Sequence, residues 1–259
     1  MLSEFVTHLP VSFGFLQDLV HAPTSGADVA RAILRWTHFV AGITWIGLLY
    51  FFNLVNVPVQ KIMDAGDKKK INPDLLGRSL WYFRWGAVVT VLAGLTYYAM
   101  YILASEARNA GVNPWAYLGI WLVIVLITYA IIYGLYQVPA LTKDGRVLAV
   151  AIAIVVIVFA VVIVYVLGNA GGAGGRYLGN KSVSIGIGGG LGIMMMLNVW
   201  GIIWRVQKRA IEAFKGNGQA PSPEDARKAF LASRTNTWLS LPMLFFMGTS
   251  HGDWILFGK

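Results

Sequence analysis

VLAVAIAIVVIVFAVVIVYVLG, residues 147–168, is almost wholly Ala, Val and Ile and contains no charged side chain. Coiled into a helix at 1.5 Å per residue, it covers the ~30 Å hydrocarbon core of a bilayer. Water is a poor solvent for such a surface, so lipid is its natural neighbour. Five more runs of crossing length flank it: Arg31–Val57, Trp81–Ala104, Trp115–Val138, Ile185–Trp204 and Thr237–Phe257. The last is the weakest, because Ser250, His251 and Asp253 interrupt its end.

Composition agrees with this reading. Apolar residues make up 57% of the 259-residue chain and charged residues 13%, about half the ~25% of a soluble domain. Mean hydropathy is +0.62. The fold class expected is all-α: a polytopic integral membrane helical bundle of about six transmembrane helices.

The net charge of +9 would raise nucleic acid as a partner in a soluble protein. Here it sits in short connections and is better explained by topology. Lys61, Lys68, Lys69, Lys70 and Arg78 flank the first connection, and Lys143 and Arg146 the third. The fifth holds Arg205, Lys208, Arg209, Lys215, Arg227, Lys228 and Arg234. The other side has only Arg31, Arg35, Arg108, Arg176, Lys181 and Lys259. The excess of Lys and Arg marks the cytoplasmic side and puts both termini outside.

Residues 1–28 carry Glu4, Asp18 and Asp28 but no Lys or Arg, unlike a secretory signal. Within them, residues 5–22 are apolar but too interrupted to cross. The organisation expected is therefore an outer-face interfacial segment, residues 1–28, followed by a transmembrane helical domain, residues 29–259. GNAGGAGGRYLGN, residues 168–180, reads as a flexible connection. It is not a phosphate cradle, for want of a preceding strand and a following Lys-Ser/Thr. In GNGQAPSPEDARKAF, residues 216–230, Ser222 is placed to cap a short helix beginning at Pro223. Gly186, Gly188, Gly189, Gly190 and Gly192 open the fifth run. They admit either close helix packing or a flat cofactor against the helix.

No cysteine is present. That removes disulfides, thiolate metal sites, iron–sulfur clusters and a c-type haem attached within this chain. The chemistry left rests on His, Met, carboxylates and aromatics. Of the four histidines, His8, His21, His38 and His251, His38 lies seven residues into the first run, roughly 10 Å down its helix. An imidazole at that depth needs a partner. It is either a packed, hydrogen-bonded ring or a ligand. His251 falls at a similar depth in the last run, and Asp253 could fix its tautomer. Two imidazoles from different helices can ligate one haem iron, so His38 and His251 are candidate metal ligands of a haem b. Arg35, with Arg31, is placed for a haem propionate. Trp45 would line the cofactor pocket or the core. Arg84 in WYFRW would snorkel to headgroups or hold a propionate or an anionic substrate.

RWTHFVAGITWIG (35–47), MMMLNVWGIIWRVQKR (194–209) and RTNTWLSLPMLFFMGTSH (234–251) resemble the membrane domain of bacterial membrane-bound urate oxidases (urate hydroxylases of the PuuD type). The resemblance implies a membrane domain passing electrons from urate to a c-type cytochrome fused behind it. It matches His38 and His251 to the family's first-helix and last-helix histidines, and Asn198 and Pro242 to its Asn-Val and Leu-Pro positions. The family pattern carries His where this chain has Gly186 and Thr235, and Glu where it has Gly86. These Cys-free residues hold no c-type cytochrome themselves, and the resemblance implies the inner (cytoplasmic) membrane of a bacterium.

The function expected is a haem-b electron-transfer subunit that exchanges electrons with a c-type cytochrome on the outer face. An enzymatic version adds urate oxidation with the cytochrome supplied separately. The alternative is a cofactor-free structural or assembly subunit of a larger respiratory or photosynthetic complex. A transporter ranks last, because intramembrane charges are few and no inverted repeat is evident.

Overall fold

The computed structural model describes residues 25–170, 178–251 and 255–257. The expected interfacial piece, residues 5–22, with His8 and His21, lies outside them, as do most of the glycine-rich connection and Asp253. The chain divides into two units, residues 1–33 and 34–259. Of the first, the described part is the start of a helix. There the Asp28 amide donates to Ser25 Oγ at 3.2 Å, and that hydroxyl donates to the Asp28 carboxylate at 2.8 Å.

Seven helices follow one another among the described residues: α1 (Gly26–Ile62), α2 (Ala65–Asn109), α3 (Pro114–Leu135), the short α4 (Pro139–Lys143), α5 (Gly145–Gly168), α6 (Asn180–Phe214) and α7 (Pro223–Thr249). The all-α expectation holds. Their starts follow local chemistry. Asp64, Asn113, Asp144 and Ser222 each accept hydrogen bonds from amides of the first turn that follows. Pro114, Pro139 and Pro223 occupy first-turn positions, where the missing N–H costs nothing. Ser222 caps as its sequence implies, but the helix it opens is not short. Nothing between Ala226 and Leu241 breaks it, so it merges with the expected last span. Single π-helical stretches interrupt α1 at Phe51–Asn56, α2 at Tyr98–Leu103 and α6 at Val199–Ile203.

Five helices, α1, α2, α3, α5 and α6, are long and apolar enough to cross a membrane. The charged first half of α7 sets it apart from them, while its apolar second half lies along α6. Successive helices run antiparallel. The amide of Gln60 near the end of α1 donates to Asn72 Oδ1 of α2 at 2.7 Å. At the start of α7, Arg227 donates to the Thr142 carbonyl at 3.3 Å and Lys228 to Gln137 Oε1 at 3.2 Å. One end of the bundle, the basic face, therefore gathers the Lys- and Arg-rich connections.

α6 is the centre. In its most apolar window 72% of residues are buried, against 22% for α3 and α5. Lipid gives apolar helices no hydrophobic drive to associate, so close backbone approach must supply the contact. Gly188 provides it toward α7: a Cβ there would lie 3.0 Å from the Met243 carbonyl oxygen. Toward α5, a Cβ on Gly186 would lie 2.8 Å from Leu167 Cδ1, and Gly190 abuts the Phe159 ring. Of the two readings of these glycines, the structure gives close packing, because side chains of α5 and α7 fill the space. α5 then turns Val150, Ile154, Ile157, Val161 and Tyr165 outward, each at least 57% exposed. That stripe explains why the opening run tolerates no charge.

Gly190→Ala should destabilise the bundle by about 1–3 kcal/mol, the usual cost of overpacking a core, because Phe159 and Val125 leave no room for a methyl. Gly134→Ala, where a Cβ meets nothing within 4 Å, should not. Thermal unfolding in detergent would compare the two.

Candidate functional site

On α2, Gly86, Thr90 and Gly94 recur every four residues and form one small-residue face toward α1. A Cβ on Gly86 would sit 3.4 Å from the Ala41 carbonyl oxygen, and one on Gly42 would sit 3.6 Å from Thr90 Cγ2. His38 occupies the last notch. A Cβ on Gly94 would come within 2.6 Å of His38 Nδ1, so the half-buried ring lies flat on α2 only because Gly94 has no side chain. There His38 Nδ1 donates to the Thr90 carbonyl at 2.8 Å. That bond fixes the tautomer and leaves Nε2 with the lone pair, the form in which a histidine binds a metal.

Trp45, two turns along α1, is 1% exposed and packs beside Gly86. Its Nε1 has no hydrogen-bond partner among the described residues. Arg35 is exposed, one turn before His38 on the same side of α1. His251 follows the last turn of α7, exposed, with Nδ1 2.6 Å from Ser250 Oγ. The positive charges of Arg35 and Lys181 act on its ring. His38 and His251 share no hydrogen bond or ring contact, and no three His, Asp or Glu side chains among the described residues converge as a metal site.

Several site residues escaped the sequence reading. Glu106, at the end of α2, accepts from the Gly179 amide at 2.8 Å and the Ser182 amide at 3.3 Å, placing a carboxylate on the positive end of α6. Asn180 donates to the Thr249 carbonyl at 2.9 Å and accepts from the amides of Leu256 and Phe257, at 3.0 and 3.1 Å. It thereby holds the end of α7 that carries His251. Both act across long sequence separations that no local pattern marks.

A second, deeper polar group lies toward the basic face, beside the π-helical stretches of α1 and α6. Asn198 donates to Asn236 Oδ1 and Asn236 to the Met195 carbonyl, both at 2.9 Å. Asn53 donates to the Leu49 carbonyl at 3.0 Å and to Ser233 Oγ at 2.9 Å. The Tyr136 hydroxyl lies by Thr235 and Asn198. Asn198 Oδ1, Asn53 Oδ1 and the Tyr136 hydroxyl have no protein hydrogen-bond partner within normal distance. A clue was available: Asn53 and Asn198 are amides inside otherwise apolar runs. Arg84, near this level, places its guanidinium 3.7 Å over the Trp204 ring, while Trp200 Nε1 donates to its carbonyl at 3.2 Å. The guanidinium thus makes a cation–π contact with α6.

With Asn198, Thr235, Pro242 and His251 placed, the family can be read. The sequence model of the urate oxidase N-terminal family matches residues 65–257. The chain belongs to this family. Neither a curated protein nor a solved structure matches it. Within the urate oxidase N-terminal match fall the buried Asn198–Asn236 pair, Tyr136 and His251. His38, Arg35 and Trp45, on α1, precede it.

Asn236→Leu removes both the acceptor for Asn198 and the donor to Met195. Stranding a buried amide costs about 1–3 kcal/mol, so the variant should unfold at a lower temperature in detergent. Thr237→Val, at a half-buried hydroxyl that only donates to the Ser233 carbonyl at 3.1 Å, should change it little.

Proposed function

We propose that the chain is a membrane-embedded electron-transfer subunit related to the urate oxidase membrane domain, holding a haem b through His38 and exchanging electrons with a c-type cytochrome. The observation that carries this is the Nδ1–H···O=C bond from His38 to Thr90. A histidine that ligates a metal almost always donates its other ring N–H in this way, which fixes its orientation and raises its basicity. The donor set suits haem b, since imidazole ligates the iron and no thioether link to cysteine is needed.

In this reading His38 Nε2 would hold the haem iron, and His251 is the candidate second ligand. Arg35 links the two: it shares a side of α1 with His38, and its charge acts at His251. Arg35 would neutralise a propionate, and the buried Trp45 would exclude water. Haem, when bound, supplies a one-electron couple. Oxidation of urate itself would call for partners for its polar edge; the unpartnered Asn198, Asn53 and Tyr136 atoms are the candidates.

A second reading is a cofactor-free scaffold within a larger complex. It is favoured by the fit of His38 into the Gly94 notch, which already gives the ring a packing role. A spectrum separates the two. Purified under conditions that retain haem, the protein should show a reduced-minus-oxidised b-type difference spectrum that His38→Ala abolishes. Gly94→Ala, which pushes the ring off α2, should shift the band or the midpoint potential. Wild-type protein with no Soret band would sink the haem proposal and leave the scaffold.

A further inference from the structure

A groove of about 500 Å³ runs between α1 and α2 on the lipid side, lined by Ile43, Thr44, Gly47 and Leu48 of α1 and by Arg78, Ser79 and Tyr82 of α2. Its volume is that of a small-ligand site (~300–1,000 Å³). Gly47 makes it: a Cβ there would meet no atom within 4 Å, so the space beside α1 is left unfilled by the protein. The contact of Gly86 with Ala41 and Trp45 sets the register of the two helices. Arg78 lies eight residues before Gly86, hence roughly 12 Å nearer the basic face. The groove is thus apolar from mid-helix downward and ends at a guanidinium and a hydroxyl.

None of the ion pairs among the described residues takes up Arg78. They join Arg209 to Asp225, Lys215 to Glu212 and Lys228 to Glu224. Asp74, one turn away, makes no such bond with it. Trp81 and Tyr82, 49% and 58% exposed, mark the same turn as headgroup level.

We propose that this groove holds one anionic phospholipid, its acyl chain along Ile43, Gly47 and Leu48 and its phosphate on Arg78 and Ser79. Guanidinium and phosphate match in a forked, charge-assisted pair. An acyl chain is the apolar occupant that the bilayer itself supplies. Arg78, taken up by none of those ion pairs, favours an anionic headgroup over a zwitterionic one.

The test is native mass spectrometry of the intact chain released from phosphatidylcholine nanodiscs containing a minority of phosphatidylglycerol. Wild-type protein should retain one phosphatidylglycerol. Arg78→Gln should lower its occupancy roughly fivefold, the scale of one basic residue at an anionic surface. Gly47→Leu should lower it comparably by filling the groove while leaving every charge in place, and with no atom to clash against it should keep the wild-type melting temperature. Lys69→Gln should retain the lipid. Equal retention by wild type, Arg78→Gln and Gly47→Leu would overturn the proposal. So would a loss in Lys69→Gln as large as in Arg78→Gln, which would mean diffuse attraction, or a neutral lipid or quinone held in place of the anionic one.

Discussion

A helix surrounded by other helices in lipid cannot rely on the hydrophobic effect, because its surroundings are as oily as its partners. α6 meets that constraint with glycine. Where Gly188 meets the Met243 carbonyl the backbones of α6 and α7 come together, and where Gly190 meets Phe159 a side chain of α5 packs directly on the α6 backbone. The rest of the bundle is arranged around this. α5 can be nearly all Ala, Val and Ile because its inner stripe only has to fill the Gly186–Gly190 face and its outer stripe only has to meet lipid.

The same economy of small residues recurs between α1 and α2, and there it sets up chemistry. Gly94 lets His38 lie flat on α2, and only a flat ring can reach the Thr90 carbonyl. Packing thus selects a tautomer, and the tautomer decides which nitrogen faces outward. At the opposite end of the bundle, the π-helical stretches of α1 and α6 fall where Asn53 and Asn198 enter the interior. A π-turn frees a carbonyl from the regular ladder, and such turns often accompany functional sites. The buried amides and Tyr136 gather beside two of them.

Much of the bundle was legible from residue type. Long apolar runs located the five helices able to cross a membrane, Ser222 and Pro223 announced a helix start, and the glycine density of the fifth run pointed to close packing. The candidate site was legible only in part. His38 stood out because an imidazole inside an apolar run is costly. Glu106, Asn180, Asn236 and Tyr136 did not, because each earns its role from a partner far away in the chain: Glu106 from Gly179, Asn180 from Thr249, Asn236 from Asn198. The stacking of Arg84 on Trp204 was not legible for the same reason, since Trp204 belongs to another helix.

The amino-acid sequence alone therefore determined that this chain is an all-helical membrane protein, where its apolar helices lie, and which side carries the basic connections. Those properties depend on transfer free energy and local backbone preference, which are set residue by residue. Only the tertiary structure decided which helix sits at the centre, that His38 bonds to Thr90 rather than standing free, and that Asn53 and Asn198 meet α7 at Ser233 and Asn236. Those depend on helix register and on the face each helix turns inward, and register is fixed by contacts between glycines and side chains that are neighbours only after the chain has folded.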